Sequence, residues 1–574
     1  MADVHKGFKM RNIMTGKSTI AILGAAAVLA ACTSLPESGN QTAYFDNFVY
    51  EGDDDFYKAN PLPDDRSFYN PILQGWASDP SVCTNGEGDY YLVTSTFVYF
   101  PGVPIYHSRD LVNWRQIGYV LDRESQLRNT EGQHVSGGIF APAISYNPHN
   151  KTYYMVTTNV GAGNFFVKAT DPAGPWSEPI MLPEVGGIDP SFFFDEDGRA
   201  YIVNNDEPSY PAEYPGHRSI RIREFDVATD RTVGDWKVLV DKGVNPAEKP
   251  IWIEGPHMYK INGRYFLMDA EGGTSTWHSE VIFASDSPWG PFVPYEHNPI
   301  LTQRHLDPNR PDPVTCAGHA DLIQAKEGDW WAVFLACRPI DGRFENLGRE
   351  TFILPVSWTD DGFPVILEGD ATVDLIVRRE AATPAPDKLQ GNYGYRTDFD
   401  EPQLGFEWMS LRKGLGSLCS LTEEPGYLAL RCSDAKASER RTPAMCCYRM
   451  QHHKFTASTD VVFDASTPDE AAGMLLFKDE NHHYFFAISG IGAERSISVL
   501  KFGNMGRSET LATAPLARGK VRLKVVSDGL TYGFAYSVDG GKESTLCSGV
   551  EADYLSTAVA GGFTGSVIGL YAVR

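Results

Sequence analysis

The chain is predicted to be all-β, with a five-bladed β-propeller followed by a β-sandwich. Two observations predict this. A fifteen-residue phrase occurs five times in the first two thirds of the chain, and the last third is a series of short strand-like runs with no copy of that phrase. The copies are DPSVCTNGEGDYYLV (79–93), PAISYNPHNKTYYMV (142–156), DPSFFFDEDGRAYIV (189–203), EGPHMYKINGRYFLM (254–268) and HADLIQAKEGDWWAV (319–333). In each, an apolar run follows the first slot, then a polar turn, then a second apolar run, which is the pattern of two antiparallel strands and a tight connection. An aromatic falls twelve residues after the first slot every time, at Tyr91, Tyr154, Tyr201, Phe266 and Trp331, so the register is kept.

Successive copies start 63, 47, 65 and 65 residues apart, enough for about four short strands and their loops. Five such units around an axis make a propeller, with the start of each innermost strand at one end of a central channel. The first slots, Asp79, Pro142, Asp189, Glu254 and His319, then converge, so that three carboxylates and an imidazole face one cavity. Like charges crowded together destabilise a fold that does not use them. Asp-Pro at 79 and 189 is ordinary turn chemistry when each is taken singly. That reading does not account for Glu254 and His319 in the same slot of other copies.

The remaining elements follow in order. Lys6, Lys9, Arg11 and Lys17 precede an apolar run from Thr19 to Ala31, and the run ends in Leu-Ala-Ala-Cys. This is a secretory signal by charge and length, too short for a spanning helix of about 20 residues. Its end resembles the lipobox of bacterial lipoproteins, which implies a signal peptide over 1–31, a lipid on Cys32 and a chain held at the cell envelope. Residues 32–65, rich in Ser, Pro, Gly, Asn and Asp, read as a flexible tether. The propeller is expected over 66–379, and Pro/Ala-rich EAATPAPD opens a linker over 380–393. Residues 394–574 carry at least seven strand-like runs bounded by Gly, Asn and Asp, the signature of a sandwich.

Composition narrows the partners. At 574 residues with 42% hydrophobic content the chain can build more than one core. A net charge of −24 argues against nucleic acid, which demands clustered Lys and Arg. Nine cysteines are scattered without zinc-ligand or paired disulfide spacing.

A set of motifs then carries a resemblance. NPILQGWASDPS (70–81), STFVYFPGVPIYHSRDLVNW (95–114), FAPAISY (140–146), GIDPSFF (187–193), EGPHMYK (254–260), AEGGT (270–274), GHADL (318–322) and LGRETFILPVSW (347–358) resemble glycoside hydrolase family 43, in particular its β-xylosidase and α-L-arabinofuranosidase group. Residues 397–572 resemble the concanavalin A-like jelly roll that this group carries. The resemblance implies an exo-acting, inverting hydrolase of xylose- or arabinofuranose-terminated oligosaccharides from hemicellulose. It implies Asp79 as general base, Glu254 as general acid and Asp189 as the carboxylate that orients the acid and raises its pKa. Inversion needs the two working carboxyls about 6.5–9.5 Å apart, with water between base and sugar. The resemblance also places Arg349 on sugar hydroxyls, Trp76, Phe100, Phe140 and His278 around the sugar, and His319 near a channel ion, calcium, held through water. The chemistry itself requires no cofactor. Members commonly have Trp where this chain has Tyr99 and Phe140, which leaves the glycoside open. The alternatives are a family enzyme acting on arabinan or galactan, or a non-catalytic sugar-binding propeller, which would have no use for an ionised base and a protonated acid in one site.

Overall fold

The structure, a computed structural model, describes residues 41–384 and 389–574. The signal peptide, Cys32, the first part of the expected tether and residues 385–388 of the expected linker lie outside the described residues. No helix among the described residues is long and apolar enough to cross a membrane.

The five repeated phrases are the inner hairpins of five blades. The first blade pairs Ser81–Thr84, Tyr90–Val93, Gly102–Ser108 and Arg115–Leu121 in that order. The second runs from Ile139–Asn147 outward, the third from Ile188–Phe194, the fourth from Glu254–Ile261, and the fifth is Thr315–Gln324, Trp330–Cys337 and Glu350–Pro355. Hairpin register is fixed by the apolar alternation, as in Val82 opposite Leu92 and Met258 opposite Leu267. Four of the five turns place Gly88, Gly198, Gly263 and Gly328 at positive φ, where a side chain would be strained, and the second copy puts Lys151 there instead. The aromatic of each phrase is buried at 8% exposure or less and fills the seam between neighbouring blades. The ring closes when Leu73 bridges Thr351 and Ser67–Tyr69 pairs with Ile376–Arg378, so the start of the propeller completes its last blade.

The C-terminal part is a sandwich of two antiparallel sheets, of nine and eight strands, packed over one apolar core. The expected tether does not hold over residues 42–65. Thr42–Phe45 and Phe48–Gly52 both pair with Lys454–Val462 inside the nine-stranded sheet, and Phe45, Phe48 and Tyr50 are fully buried. Tyr57, on the short helix Asp55–Ala59, accepts a hydrogen bond from Arg338 of the fifth blade at 3.0 Å. From residue 41 the chain therefore runs through the sandwich, crosses into the propeller and returns. The segment YFDNFVY is two apolar runs around Asp-Asn, a strand-turn-strand signal that the surrounding polar composition obscures.

One sheet crosses from propeller to sandwich. Tyr99–Phe100, between strands of the first blade, pairs with Trp408–Leu411 at the edge of the eight-stranded sheet. Beside this seam the fully buried Arg412 donates to Gln133 of the propeller at 2.9 Å and also pairs with Glu480. A charge buried with a carboxylate and backbone acceptors is matched rather than orphaned.

Candidate active site

The first slots meet at one mouth of the channel because the backbone turns sharply there. Asp79, Asp189 and His319 sit at φ +55°, +53° and +53°, and in the fourth blade it is Gly255, next to Glu254, at +59°. Non-glycine residues pay strain in this region, and they hold it where the surrounding structure over-determines them. The inner strands of the third, fourth and fifth blades each shift register at this point, which aims the side chains inward. Pro142 occupies the slot of the second blade, where its ring fixes φ negative and supplies no charge.

Asp79, Asp189, Glu254, His319 and Arg349 line a cavity of about 380 Å³, the lower end of the range for small-ligand pockets. Asp79 is buried, which raises its pKa. That effect is outweighed by Arg349, whose Nη1 is 3.5 Å from Oδ1, by His319, whose Nδ1 is 4.0 Å from the same oxygen, and by a 2.6 Å hydrogen bond from Ser95 to Oδ2. The net result is a carboxyl held below its ordinary value. Glu254 is shifted the opposite way. Burial, then the charge of Asp189, then that of Asp79 push it well above the usual range, against the smaller pull of Arg349 and Arg218. Asp189 is raised to about 7 by burial and by Asp79, although the amide of Gly255 donates to its Oδ2 at 3.2 Å. That hydrogen bond ties Asp189 to the residue following Glu254.

His319 is driven down to about 4 by burial, so its ring is neutral at physiological pH. A Cβ on Gly255 would lie 2.8 Å from that ring, which is why the fourth blade has glycine there. The space beneath the carboxylates, beside His319, is about 10 Å³, room for roughly one water.

Of the four rings expected around the sugar, one lines the cavity. Phe140 does, packed 5.7 Å edge-on against Phe97. Trp76 is fully buried, its ring tilted against Tyr99 at 4.9 Å with Arg449 of the sandwich 4.4 Å above it. Phe100 spends its backbone on the inter-domain pairing with Ser410 and stands outside the cavity. Both residues serve the seam between the domains, which the propeller motifs alone do not reveal. His278 is also buried, behind His319, with Nδ1 donating to the carbonyl of Cys316 at 2.9 Å and its pKa pushed down to about 3 by burial. It supports the wall rather than forming it.

Three aromatic lining residues escape the sequence reading. Phe97 and Trp252 flank the acidic slots, and Trp252 stands two residues before the phrase opens at Glu254, the same offset that Phe140 has from Pro142, a match that would have marked it. Arg218 lies 4.0 Å over the Trp252 ring and fixes its face. Phe563 comes from the sandwich. Its ring stacks near Phe97 at 6.1 Å, and its amide donates to Ser136 at 2.9 Å. Nothing in Gly-Gly-Phe-Thr-Gly-Ser ties it to a site more than two hundred residues upstream.

Comparison with known proteins agrees with this architecture. Residues 68–364 match Glycosyl hydrolases family 43, and residues 396–574 match the Beta xylosidase C-terminal Concanavalin A-like domain. The chain is 36% identical over 524 residues to a non-reducing end α-L-arabinofuranosidase of Bacteroides ovatus, covering 90% of this chain and 93% of that protein. It is 37% identical over 516 residues to a xylosidase/arabinosidase of Butyrivibrio fibrisolvens, covering 88% and 95%. The crystal structure of a GH43_12 protein retrieved from a capybara gut metagenome superposes with a TM-score of 0.87 at 40% identity, over 93% of this chain and all of that one. A five-bladed propeller with three acids at its mouth, joined to a concanavalin A-like sandwich and matched across both domains, belongs to glycosyl hydrolases family 43, and the chain is a glycoside hydrolase.

Proposed function

We propose that the enzyme removes terminal xylose and/or arabinofuranose from hemicellulose-derived oligosaccharides with inversion, using Asp79 as general base, Glu254 as general acid and Asp189 to keep the acid protonated. The observation that carries this reading is the opposite displacement of two carboxyls in one cavity, Asp79 down and Glu254 up. Paired titratable groups pushed apart in this way are the arrangement that assigns acid and base.

In the reaction, Glu254 gives its proton to the glycosidic oxygen as the bond to the anomeric carbon breaks. Asp79, ionised beside Arg349, accepts a proton from water as that water attacks the opposite face of the sugar. Charge on the ring rises in the transition state, and the walls formed by Phe97, Phe140 and Phe563 exclude bulk water around it. Asp189 acts through Glu254 by like charge and through Gly255 by its hydrogen bond. The names of the relatives, arabinofuranosidase and xylosidase/arabinosidase, support the two sugars.

The deciding experiment compares turnover of an aryl β-xyloside with that of an aryl α-arabinofuranoside while NMR follows the anomer first released. Hydrolysis of at least one substrate with the inverted sugar appearing first is expected. Release of the retained anomer would make Asp79 a nucleophile and end the inverting assignment.

We further propose that the protein is held at the cell envelope by a lipid on Cys32. The support is Leu-Ala-Ala-Cys after the apolar run, with a lipid chain contributing about 0.8 kcal/mol per buried methylene. Cys32→Ser should move the protein from the membrane to the soluble fraction. A wild type already soluble would rule out the anchor.

A further inference from the structure

Behind the wall that carries Arg349, two thiols and a carboxylate come together. Cys316 and Cys337 lie on the first and second strands of the fifth blade and are 3% and 1% exposed, while Glu345 is half-buried on the loop that leads to Arg349. One ligand atom from each of the three lies within 4.8 Å of the others. Among the described residues no other set of three such side chains comes as close. The Cys316 Sγ and Glu345 Oε1 are 3.5 Å apart. In a tetrahedral zinc site, with bonds of about 2.3 Å to sulfur and 2.0–2.2 Å to oxygen, the edge between those two ligands is about 3.6 Å.

We propose that Cys316, Cys337 and Glu345 bind one Zn²⁺, with water in the fourth position. Two thiolates select a soft or borderline ion over calcium or magnesium. Binding forms two Zn–S bonds and one Zn–O bond and releases the two thiol protons, with no change of oxidation state. The bound centre carries a net charge of −1. Two cations already act on Glu345, namely Arg349 and Lys478, and Lys478 is buried with its Nζ donating to Thr557 Oγ1 at 3.0 Å. An anionic centre is thus matched by charges the fold has placed there. Cys316 also supplies the carbonyl that holds His278, and Glu345 stands four residues before Arg349. The ion therefore clasps the fifth blade to the segment that delivers Arg349 to Asp79. It takes no part in the hydrolytic steps.

The test uses the full chain, purified reduced and stripped with a chelator, then titrated with Zn²⁺ against a chromophoric competitor and separately with Co²⁺. Expected are one zinc per chain, a rise in Tm on addition of zinc, and a thiolate-to-cobalt charge-transfer band. Cys316→Ser and Cys337→Ser should each weaken zinc by more than about 100-fold, beyond the loss expected from a merely supporting contact. Cys419→Ser, outside the cluster, should leave it unchanged. Glu345→Gln alters a half-buried side chain and keeps the test valid if a serine variant does not fold. It should retain the cobalt–thiolate band with weaker binding. Substoichiometric zinc, a cobalt spectrum without the thiolate band, or unaltered affinity in Cys316→Ser would overturn the proposal. So would a Cys316–Cys337 disulfide found by peptide mapping of protein isolated without reductant.

Discussion

Arg349 donates from Nη2 to the main-chain carbonyl of Phe563 at 3.3 Å, and its guanidinium lies 5.1 Å from the centre of the Phe563 ring. The other end of the same guanidinium is the partner of Asp79. A residue of the sandwich therefore steadies the cation that keeps the propeller's base ionised, and its ring closes the cavity. Phe563→Ala should leave the protein folded, because the ring is half-buried and lines the cavity at the edge of the core between the two domains rather than inside it. It should lower kcat/KM about 10-fold, equivalent to about 1.4 kcal/mol. Unchanged steady-state kinetics would remove Phe563 from the site.

Removing the cation directly should be visible in the pH profile. Arg349 stabilises the charged form of Asp79, so Arg349→Met should raise the pKa of Asp79 and move the acidic limb of kcat/KM to higher pH. Below that limb the base is protonated and activity is lost. A limb that stays in place while overall activity falls would confine Arg349 to sugar contacts.

Asp189 acts on the other limb. Its charge is the second cause, after burial, of the raised pKa of Glu254. In Asp189→Asn the acid should lose its proton more readily, and the alkaline limb should move to lower pH. Movement to higher pH would contradict the like-charge account.

General acid help contributes roughly 10²–10⁴ in rate, and only where the leaving group needs a proton. Glu254→Gln should therefore cripple hydrolysis of xylobiose, yet retain most activity on a dinitrophenyl glycoside. Asp79→Asn should abolish both, since water must be activated for either. Equal losses for Glu254→Gln on the two substrates would take the acid role from Glu254.

A fragment of residues 66–379 should fail to fold as a stable propeller. It would lose the strand paired with Tyr99–Phe100, the Arg449 face of Trp76 and the Tyr57 partner of Arg338. Arg338 would retain its bidentate contact with Glu350 at 2.7 and 2.9 Å, now facing water on one side. Thermal melting of this fragment at the temperature of the full chain would show instead that the sandwich is an independent module.

What the sequence determined by itself was everything written as a local repeat. Apolar alternation, turn residues and a fixed aromatic specify the five hairpins, and because hairpin pairing is short-range, spacing alone puts Asp79, Asp189, Glu254 and His319 in one slot ahead of each inner hairpin. What only the tertiary structure decided depends on pairings between distant segments. Thr42–Phe45 reads as part of a polar leader until Leu428–Arg431 and Lys454–Val462 flank it. Trp76 and Phe100 look like sugar platforms until the sandwich covers them, and Phe563 becomes a wall of the cavity only because Arg349 reaches its carbonyl. The direction in which each carboxyl shifts belongs to the same class, since loss of water and the pull of neighbouring charges depend on burial and through-space distance, which no linear spacing encodes.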